Sequence, residues 1–252
     1  MTSTRPTVAA FVAPAPLATG SLALDEDAAH HARVRRLSEG DAVTLRDGAG
    51  GVADGVIARI ARAALHVDVA AVRHVVPPPP VHLLAPIGDR DRMLWLAEKC
   101  TELGLASWRG VRWRRSLSVS LRGEGDAFAG KLRARMAQAL AQCEGAWLPA
   151  IHPDADPSAA LGDAAPGLRL VLDAEGEPLD TFYSVTSLGT AVTLALGPEG
   201  GLEAEELAAA EAAGFRRARL PGNILRFETA GAVGVAFARA LLDRPHPGAD
   251  PR

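Results

Sequence analysis

The chain has 252 residues, of which 48% are apolar and 23% charged, and its formal net charge is −3 at pH 7. This composition excludes a disordered or fibrous protein, and the charge argues against one that coats nucleic acid. No stretch approaches about eighteen uncharged apolar residues, and prolines interrupt the start MTSTRPTVAAFVAPAP, so we expect a soluble, cytoplasmic protein without a membrane segment.

The two cysteines, Cys100 and Cys143, form no CxxC pair and have no histidine at ligand spacing. The sequence therefore predicts neither a metal site nor a disulfide framework. Charge is unevenly distributed, because residues 88–135 carry 11 Lys+Arg against 6 Asp+Glu, whereas residues 136–252 carry 8 against 16. A local basic face near the middle of the chain is compatible with this distribution.

Residues 1–74 are predicted to form a mostly β domain. The apolar runs DAVTLRDG, GVADGVIARI and LHVDVAAV alternate with Gly and Asp turn signals at spacings of roughly eight to twelve residues. This pattern is typical of a small barrel or sandwich. Four consecutive prolines follow, and they predict a stiff extended linker at residues 75–80.

Residues 81–252 are predicted to form an α/β domain. The strand-like runs are VHLLAP, LRLVLD, AVTLALG and RARLP. They alternate with the helical patterns RMLWLAEKCTELG, KLRARMAQALAQC, EAEELAAAEAAG and ETAGAVGVAFARALLD. Such alternation predicts a parallel sheet that is covered by helices on both faces.

Two loops of this domain are candidates for a ligand site. Gly197, Gly200 and Gly201 follow the strand AVTLAL and precede a helix expected from near Glu203 to Gly214. The second loop, LPGNILRFETA, follows RARL. Loops from two neighbouring strand ends, one glycine-rich and one apolar, suit an adenine, a ribose and a polar end better than a triphosphate, because no Walker-type lysine is present. The alternative is that GPEGG is an ordinary strand-to-helix turn.

Taken together, LALGPEGG, EAAGF and LPGNILRFETA resemble the C-terminal signature of the RsmE family, the small-subunit (16S) ribosomal RNA uridine N3-methyltransferases of the SPOUT superfamily. GDRDRMLWLAEKCTELGL is similar to the family block that ends in K-A-T-E-L-G, and RRS stands where the family has E-R-S. In the first domain, HARVRRLSEGDAVTLRDG is similar to the family pattern H-x-x-R-V-L-R followed by G-D and D-G. The resemblance covers most of the chain.

The resemblance implies a fold, a reaction and partners. The fold would be a PUA-like, RNA-binding β-barrel at residues 1–74 and a SPOUT methyltransferase domain, knotted as a trefoil, at residues 81–252. The methyl donor would be S-adenosylmethionine. The substrate would be N3 of a uridine in small-subunit ribosomal RNA within the assembled subunit, and the protein would be a homodimer without a metal.

The resemblance also implies site residues. The cofactor-binding residues would be Leu196, Gly197, Glu199, Gly200, Gly201, Leu220, Gly222, Ile224, Leu225 and Thr229. The catalytic candidates are Arg226 and Glu228. Because a guanidinium stays protonated, Arg226 could stabilise an imide anion or bind an RNA phosphate; the alternative is a salt bridge from Arg226 to Glu228 or Glu199. Thr229 could instead cap the last helix.

The RNA-binding candidates are His30, Arg33, Arg36, Arg114 and Arg115. The alternative for each arginine is a solvated surface residue, and the alternative for His30 is a capping or packed histidine. The segment QALAQCEGAW departs from the family pattern, because Gln138 and Ala141 replace acids and Gly145 replaces an arginine. Two alternatives stay open. One is a SPOUT methyltransferase that acts on a transfer RNA ribose or another base, since such a transfer needs similar cofactor loops. The other, which the altered segment suggests, is a catalytically silent RNA-binding homologue.

Overall fold

The structure is a computed structural model that describes residues 9–13, 15–116, 123–184 and 191–243. Contacts divide the chain into two compact units. The first unit comprises Met1–Pro77 together with Ala137–Leu148, and the second comprises Pro78–Met136 together with Pro149–Arg252. The boundary between Pro77 and Pro78 falls inside the run of four prolines.

The first unit is built on a five-stranded sheet. Its elements in chain order are β1 (Ala9–Val12), β2 (Gly20–Leu24), α1 (Glu26–Val34), β3 (Ala42–Arg46), β4 (Gly51–Ile60) and β5 (Leu65–His74). The strand order is β1-β3-β4-β5-β2, in which only the β1 and β3 pair is parallel. Leu65, Val67 and Val69 of β5 are buried on alternate positions, as expected of a strand with one face on a core. The predicted mostly β domain is confirmed.

Residues 137–148 pack with the first unit, whereas the sequence analysis placed them in the second domain. The Leu148 N–H donates to the Gly48 carbonyl at 2.8 Å. The Trp147 indole N–H donates to the Val75 carbonyl at 3.0 Å. These bonds satisfy polar backbone groups of the first unit with partners from a distant part of the chain, which no local sequence pattern reveals.

The second unit alternates strands and helices. Its elements are β6 (Val81–Pro86), α2 (Arg90–Glu102), β7 (Ser107–Val111), α3 (Gly125–Cys143, to which the unit contributes residues up to 136), β8 (Ala150–Ala155), α4 (Pro157–Gly162), β9 (Gly167–Pro178), a 3-10 helix (Leu179–Ser184), β10 (Ala191–Leu196), α5 (Ala204–Ala212), β11 (Arg216–Arg219) and α6 (Phe227–Leu242). The strand order is β11-β9-β10-β6-β7-β8, and every neighbouring pair is parallel.

The central strands of this sheet are buried on both faces. All six residues of β10 are buried, and so are five of the six residues of β6. This burial explains why AVTLAL and VHLLAP are apolar at every position except Thr193 and His82, without regular alternation. Ala195 and Val171 pack on one face in a cluster with Ala210 of α5. The predicted α/β domain with a parallel sheet is confirmed.

On the opposite face, α6 lies close against the sheet because Gly231 and Gly234, which face its leucine side chains, have no Cβ atom. A Cβ atom on Gly231 would lie 2.7 Å from Leu96 Cδ1 and 2.8 Å from Leu196 Cδ1. A Cβ atom on Gly234 would lie 3.0 Å from Leu172 Cδ1. Since Leu196 is the last residue of β10, this packing holds the first turns of α6 beside the loop that follows β10.

None of the helices in the described ranges combines the length with the apolar composition that crossing a bilayer requires.

Candidate active site

Two loops leave the second unit's sheet at the same edge. Because β9, β10 and β11 are parallel, their carboxyl ends lie on one side of the sheet. The prediction that the two loops follow neighbouring strands is wrong, because β9 lies between β10 and β11. The loops therefore flank the end of β9, because chain order does not fix which strands pair in a parallel sheet.

The glycine-rich loop is a tight turn with open space in front of it. The Gly201 N–H donates to the Pro198 carbonyl at 2.8 Å. Gly201 has a φ of +73°, which only glycine adopts readily. Gly222 in the second loop has a φ of +94°. Among the residues that the structure describes, and apart from chain neighbours, no heavy atom lies within 4 Å of a Cβ built on either glycine, so a ligand can approach the backbone at both positions.

The helix after the glycine-rich loop begins and ends where the sequence predicted. Glu203 is the N-cap of α5, and Gly214 follows its C-cap with a φ of +82°. Glu206 is buried in the first turn, and its carboxylate accepts the Glu203 N–H at 2.9 Å. The same carboxylate accepts the Arg114 N–H at 2.7 Å, which ties the segment after β7 to the start of α5.

Arg114 and Arg115 bind the glycine-rich loop and the start of α5. The Arg114 guanidinium donates to Glu203 at 2.7 Å and to Glu205 at 2.6 Å, and these hydrogen bonds raise the pKa of Arg114. The Arg115 guanidinium donates to the Gly200 carbonyl at 3.0 Å. Both candidate RNA-binding arginines therefore already have partners inside the second unit.

Arg92 lies between two carboxylates at the other side of the glycine-rich loop. Its Nη1 pairs with Glu199 Oε1, and its Nε lies 4.0 Å from Glu228 Oε1. Arg92 is in the first turn of α2, where its backbone N–H donates to the N-cap side chain of Asp89 at 3.1 Å. One guanidinium thus joins the glycine-rich loop to the first turn of α6.

A cavity of about 150 Å³ opens beside Arg92. It lies at the carboxyl ends of β6 and β10, where α2 and α6 begin. Its walls are formed by Pro86, Ile87, Gly88, Asp89, Arg92, Pro198, Glu199 and Phe227. Apolar walls with a few charged groups are typical of a small-ligand site.

The two catalytic candidates lie in different environments. Arg226 is exposed at the N-cap position of α6 and forms no ion pair within the described part of the chain. The alternative salt bridge from Arg226 to Glu228 or Glu199 is therefore absent there, and both carboxylates face Arg92 instead. The Glu228 side chain is only 13% exposed, and its Oε2 is buried without a hydrogen-bond partner among the residues described.

The second loop, which runs from Leu220 to Arg226, carries the remaining cofactor candidates. Leu220 and Leu225 are half-buried, whereas the side chain of Ile224 is 94% exposed. An isoleucine exposed to that extent on a loop has an apolar surface that a ligand or a second chain could cover. Thr229 is in the first turn of α6 and is not its cap, because the helix already begins at Phe227.

The candidates of the first unit lie on or just after α1. His30 and Arg36 are exposed, and Arg36 has a φ of +57°. The Arg33 guanidinium donates to the Ala61 carbonyl at 2.8 Å, so this side chain also braces the turn between β4 and β5. His30 and Arg36 are thus the candidates that the first unit leaves most accessible.

Within the described ranges, no three His, Cys, Asp or Glu side chains are grouped so that they could hold a metal ion. Cys100 is fully buried, and burial raises the pKa of its thiol, so it is a poor nucleophile. Cys143 is half-buried and free.

Arg92, Asp89 and Phe227 line the cavity and are not among the site residues that the sequence predicts. A signal was present in GDRDR, where Asp89 is placed to cap a helix directly after the strand VHLLAP. That strand pairs with β10, so the basic side chains that follow it lie near the glycine-rich loop. The pairing itself was not readable from the sequence.

Comparison with known families assigns this fold to an RNA-modifying class of α/β enzyme. Residues 76–239 match the family model described as RNA methyltransferase domain, and residues 24–70 match RNA methyltransferase PUA domain. The first match covers more than half of the chain, so the chain belongs to the RNA methyltransferase family.

Two relatives of the chain are named as small-subunit ribosomal RNA methyltransferases. The chain is 29% identical over 247 residues to a Mycobacterium bovis protein named ribosomal RNA small subunit methyltransferase E, covering 90% of this chain and 89% of the relative. A Synechocystis protein of the same name is 27% identical over 240 residues, covering 92% and 77%.

Solved structures share the fold. A Legionella pneumophila protein with the bound cofactor SAM superposes with a TM-score of 0.82 at 24% identity, covering 94% of this chain and 98% of that one. Ribosomal RNA small subunit methyltransferase E of Neisseria gonorrhoeae, bound to S-adenosyl methionine, gives 0.81 at 22% identity, covering 93% and 98%.

Proposed function

We propose that the protein transfers a methyl group from S-adenosylmethionine to N3 of a uridine in small-subunit ribosomal RNA. The observation that carries this proposal is the pair of loops at one sheet edge, with Gly201 and Gly222 open in front and the Arg92 cavity alongside. Two relatives are named as small-subunit ribosomal RNA methyltransferases, and two structural neighbours were solved with this cofactor. A ribosomal substrate would place the activity in the cytoplasm.

The residues present fit an adenosyl ligand. Gly201 and Gly222 leave their backbone accessible, which suits recognition of an adenine and a ribose by main-chain groups. Leu225, which is half-buried, and Ile224, which is exposed, supply apolar surface beside them, whereas Leu196 is buried and offers only its main chain. Arg92, Arg114 and Arg115 lie beside the glycine-rich loop but already bond to carboxylates or to a carbonyl, and so suit a triphosphate poorly.

When bound, S-adenosylmethionine would supply a methyl group that its sulfonium activates, and the sulfur would leave as a neutral thioether as the methyl carbon bonds to the acceptor nitrogen. The protein must therefore mainly align the two reactants in a dry site, an effect worth up to about 7–11 kcal/mol. Arg92 and the Arg115 bond to Gly200 hold the glycine-rich loop from two sides. The half-buried walls of the cavity exclude part of the surrounding water.

The acceptor nitrogen carries a proton that must leave. Glu228 Oε2 is a buried carboxylate oxygen without a partner among the described residues, so it is the proposed proton acceptor. Arg226, exposed at the start of α6, is proposed to stabilise the imide anion or to contact an RNA phosphate. Acid–base assistance of this kind contributes roughly 10²- to 10⁴-fold to the rate.

For RNA, we propose that His30 and Arg36 of the first unit contact the backbone, since both are exposed. Arg33, Arg114 and Arg115 could join them only by giving up or sharing the bonds described above.

We also propose a homodimer in which a second copy covers the outer faces of α2 and α6. Val233 of α6 is 39% exposed and Trp95 of α2 is 43% exposed, and Ala236 and Ala240 on α6 are also exposed. An apolar outer helix face on a folded protein is typical of an interface. We expect Val233→Glu to convert a dimer into a monomer in light scattering coupled to size-exclusion chromatography; an unchanged mass would contradict this interface.

The trefoil knot remains part of the proposal. Its support is the path of the chain around β9: β10 lies on one side of β9, β11 on the other, and α6 then returns to pack against β6, β10 and α2. Such a return over earlier strands is compatible with threading, which is rare in proteins generally.

The experiment that tests the function is methyl transfer from tritium-labelled S-adenosylmethionine to small ribosomal subunits that lack the modification, followed by nucleoside analysis. We expect label in 3-methyluridine, and naked ribosomal RNA as a second substrate separates free RNA from the assembled subunit. Label in a ribose, in another base or only in transfer RNA would assign the protein to a different methyltransferase. Cofactor binding without any transfer would indicate a silent RNA-binding homologue, as the altered residues Gln138, Ala141 and Gly145 would allow.

A further inference from the structure

Arg92 bridges two acidic side chains that come from distant parts of the chain. Glu199 belongs to the glycine-rich loop, and Glu228 belongs to the first turn of α6. The Arg92 side chain is 34% exposed, so its pairing with Glu228, which is largely buried, is less screened than a surface pair. A planar guanidinium presents several N–H donors in fixed directions, which allows it to hold two carboxylates at once.

The same arginine lies in the wall of the cavity together with Glu199 and the ring of Phe227. Glu228 directs one oxygen, Oε1, toward Arg92, while the other, Oε2, is buried without a partner among the residues described. A buried acceptor that lacks a donor is costly and is common where a ligand supplies the missing hydrogen. An N–H group of a bound reactant could therefore supply the hydrogen bond that Oε2 lacks among these residues.

We propose that Arg92 is a positioning residue for methyl transfer, which fixes the glycine-rich loop through Glu199 and orients Glu228 so that Oε2 receives an N–H from a reactant. This inference rests on the proposed function. Without Arg92, the carboxylates of Glu199 and Glu228 would face each other without a shared cation, and like charges repel. The loop and the first turn of α6 would then separate.

Arg92→Met tests the proposal, because methionine keeps much of the side-chain length but removes the charge and all donors. The matched control is Arg135→Met, since Arg135 also pairs with a glutamate, Glu98, at 3.0 Å, but on α3 outside the site. We expect Arg92→Met to lower kcat roughly hundredfold with a KM for small subunits within about threefold of wild type. We expect the control to stay within about twofold on both parameters.

Arg92→Lys and a double-mutant cycle separate positioning from charge. We expect Arg92→Lys to recover less than about tenfold of the lost kcat, because an ammonium cannot span both carboxylates in one geometry. The kcat of the double variant Arg92→Met with Glu228→Gln should lie within about threefold of the kcat of the slower single variant. The two losses should not add, because both substitutions act on the Glu228 carboxylate. Fully additive losses, or an Arg92→Met variant with unchanged kcat, would overturn the proposal.

Calorimetric titration with S-adenosylmethionine alone distinguishes the two sources of the N–H group. If the cofactor's ammonium supplies it, Glu228→Gln weakens cofactor binding by at least about tenfold; if the acceptor base supplies it, cofactor affinity stays within about threefold and only kcat falls. A Glu228→Gln variant with wild-type affinity and wild-type kcat would show that Oε2 receives no N–H, against the proposal.

Amide hydrogen exchange tests whether Arg92 positions the glycine-rich loop without requiring any methyl transfer. Without any substrate, we expect Arg92→Met to speed exchange at residues 199–203 by at least about fivefold, while Arg135→Met leaves these amides unchanged. If wild type binds the cofactor but transfers no methyl group, the proposed function fails, and this exchange result still decides whether Arg92 positions the loop. Unchanged exchange at 199–203 would overturn the positioning role.

Discussion

Substitutions at Gly201 test the cofactor site directly, because the backbone strain and the loss of space in front of the loop can be measured separately. Its φ of +73° costs a residue with a side chain about 1–2 kcal/mol. For a unit of this size, such a loss lowers the melting temperature by about 2–8 °C. Apart from its chain neighbours, no atom of the described residues lies within 4 Å of a Cβ at this position, so these residues leave room for a larger side chain.

A bulky side chain at Gly201 would instead occupy the space where the cofactor is proposed to lie. We expect Gly201→Leu to fold and to bind S-adenosylmethionine at least roughly hundredfold more weakly in calorimetry, a loss of about 2.8 kcal/mol. Gly201→Ala should have the same melting temperature as Gly201→Leu within about 2 °C but a smaller loss of affinity, because it adds strain and little volume.

The matched control is Gly214→Leu at the other end of α5. Gly214 has a φ of +82°, and the nearest atom to its Cβ is Arg169 Nη1 at 3.8 Å, so the backbone strain is similar and the cofactor loops are not involved. We expect this variant to lose stability but to keep its cofactor affinity within about threefold. A folded Gly201→Leu variant with undiminished affinity would refute the assignment of the cofactor to this loop.

Three further predictions concern packing, pH and RNA. Gly231→Ala should destabilise the protein by about 1–3 kcal/mol in denaturant unfolding, because its Cβ would lie 2.7 Å from a leucine methyl. Gly130→Ala is also in a helix, but the described residues outside that stretch of helix place no atom within 4 Å of its Cβ, so it should stabilise the protein by about 0.5–1 kcal/mol. Equal effects of the two substitutions would contradict the close packing of α6. Burial lowers the pKa of His82 below 6.5, and the charge of His152 lowers it further. The unfolded state therefore binds more protons than the folded state below pH 6.5, and the free energy of unfolding should fall as the pH drops through that value. The fall should be smaller in His82→Gln, and an identical pH dependence in that variant would contradict this origin. Arg36→Gln should reduce the slope of log K for RNA binding against log salt by about 1, and an unchanged slope would remove this arginine from the RNA contacts.

The sequence was informative where burial imposes a continuous pattern. β6 and β10 were predicted because they are buried on both faces and are therefore apolar at every position except His82 and Thr193. β7 and β8 were missed, because SWRGV interrupts its apolar residues with Arg and Gly, and AIHPDA is a mostly exposed edge strand that contains a proline.

Local patterns also gave the turn chemistry but not the distant pairings. The helix that follows GPEGG was bounded correctly by Glu203 and Gly214, since capping depends on neighbours in sequence. The ion pair between Arg92 and Glu199 joins residues 107 positions apart, and it depends on β6 pairing with β10. Strand order in a parallel sheet is set by packing of the whole unit, so such partners cannot be read from a single sequence.

The most direct test of the central claim is a crystal structure with S-adenosylmethionine bound. We predict that the adenosine lies between the loop at residues 197–201 and the loop at residues 220–225, with its sulfonium methyl turned toward the cavity that Arg92 lines. A donor seated at any other place, with both loops bare, would contradict the account.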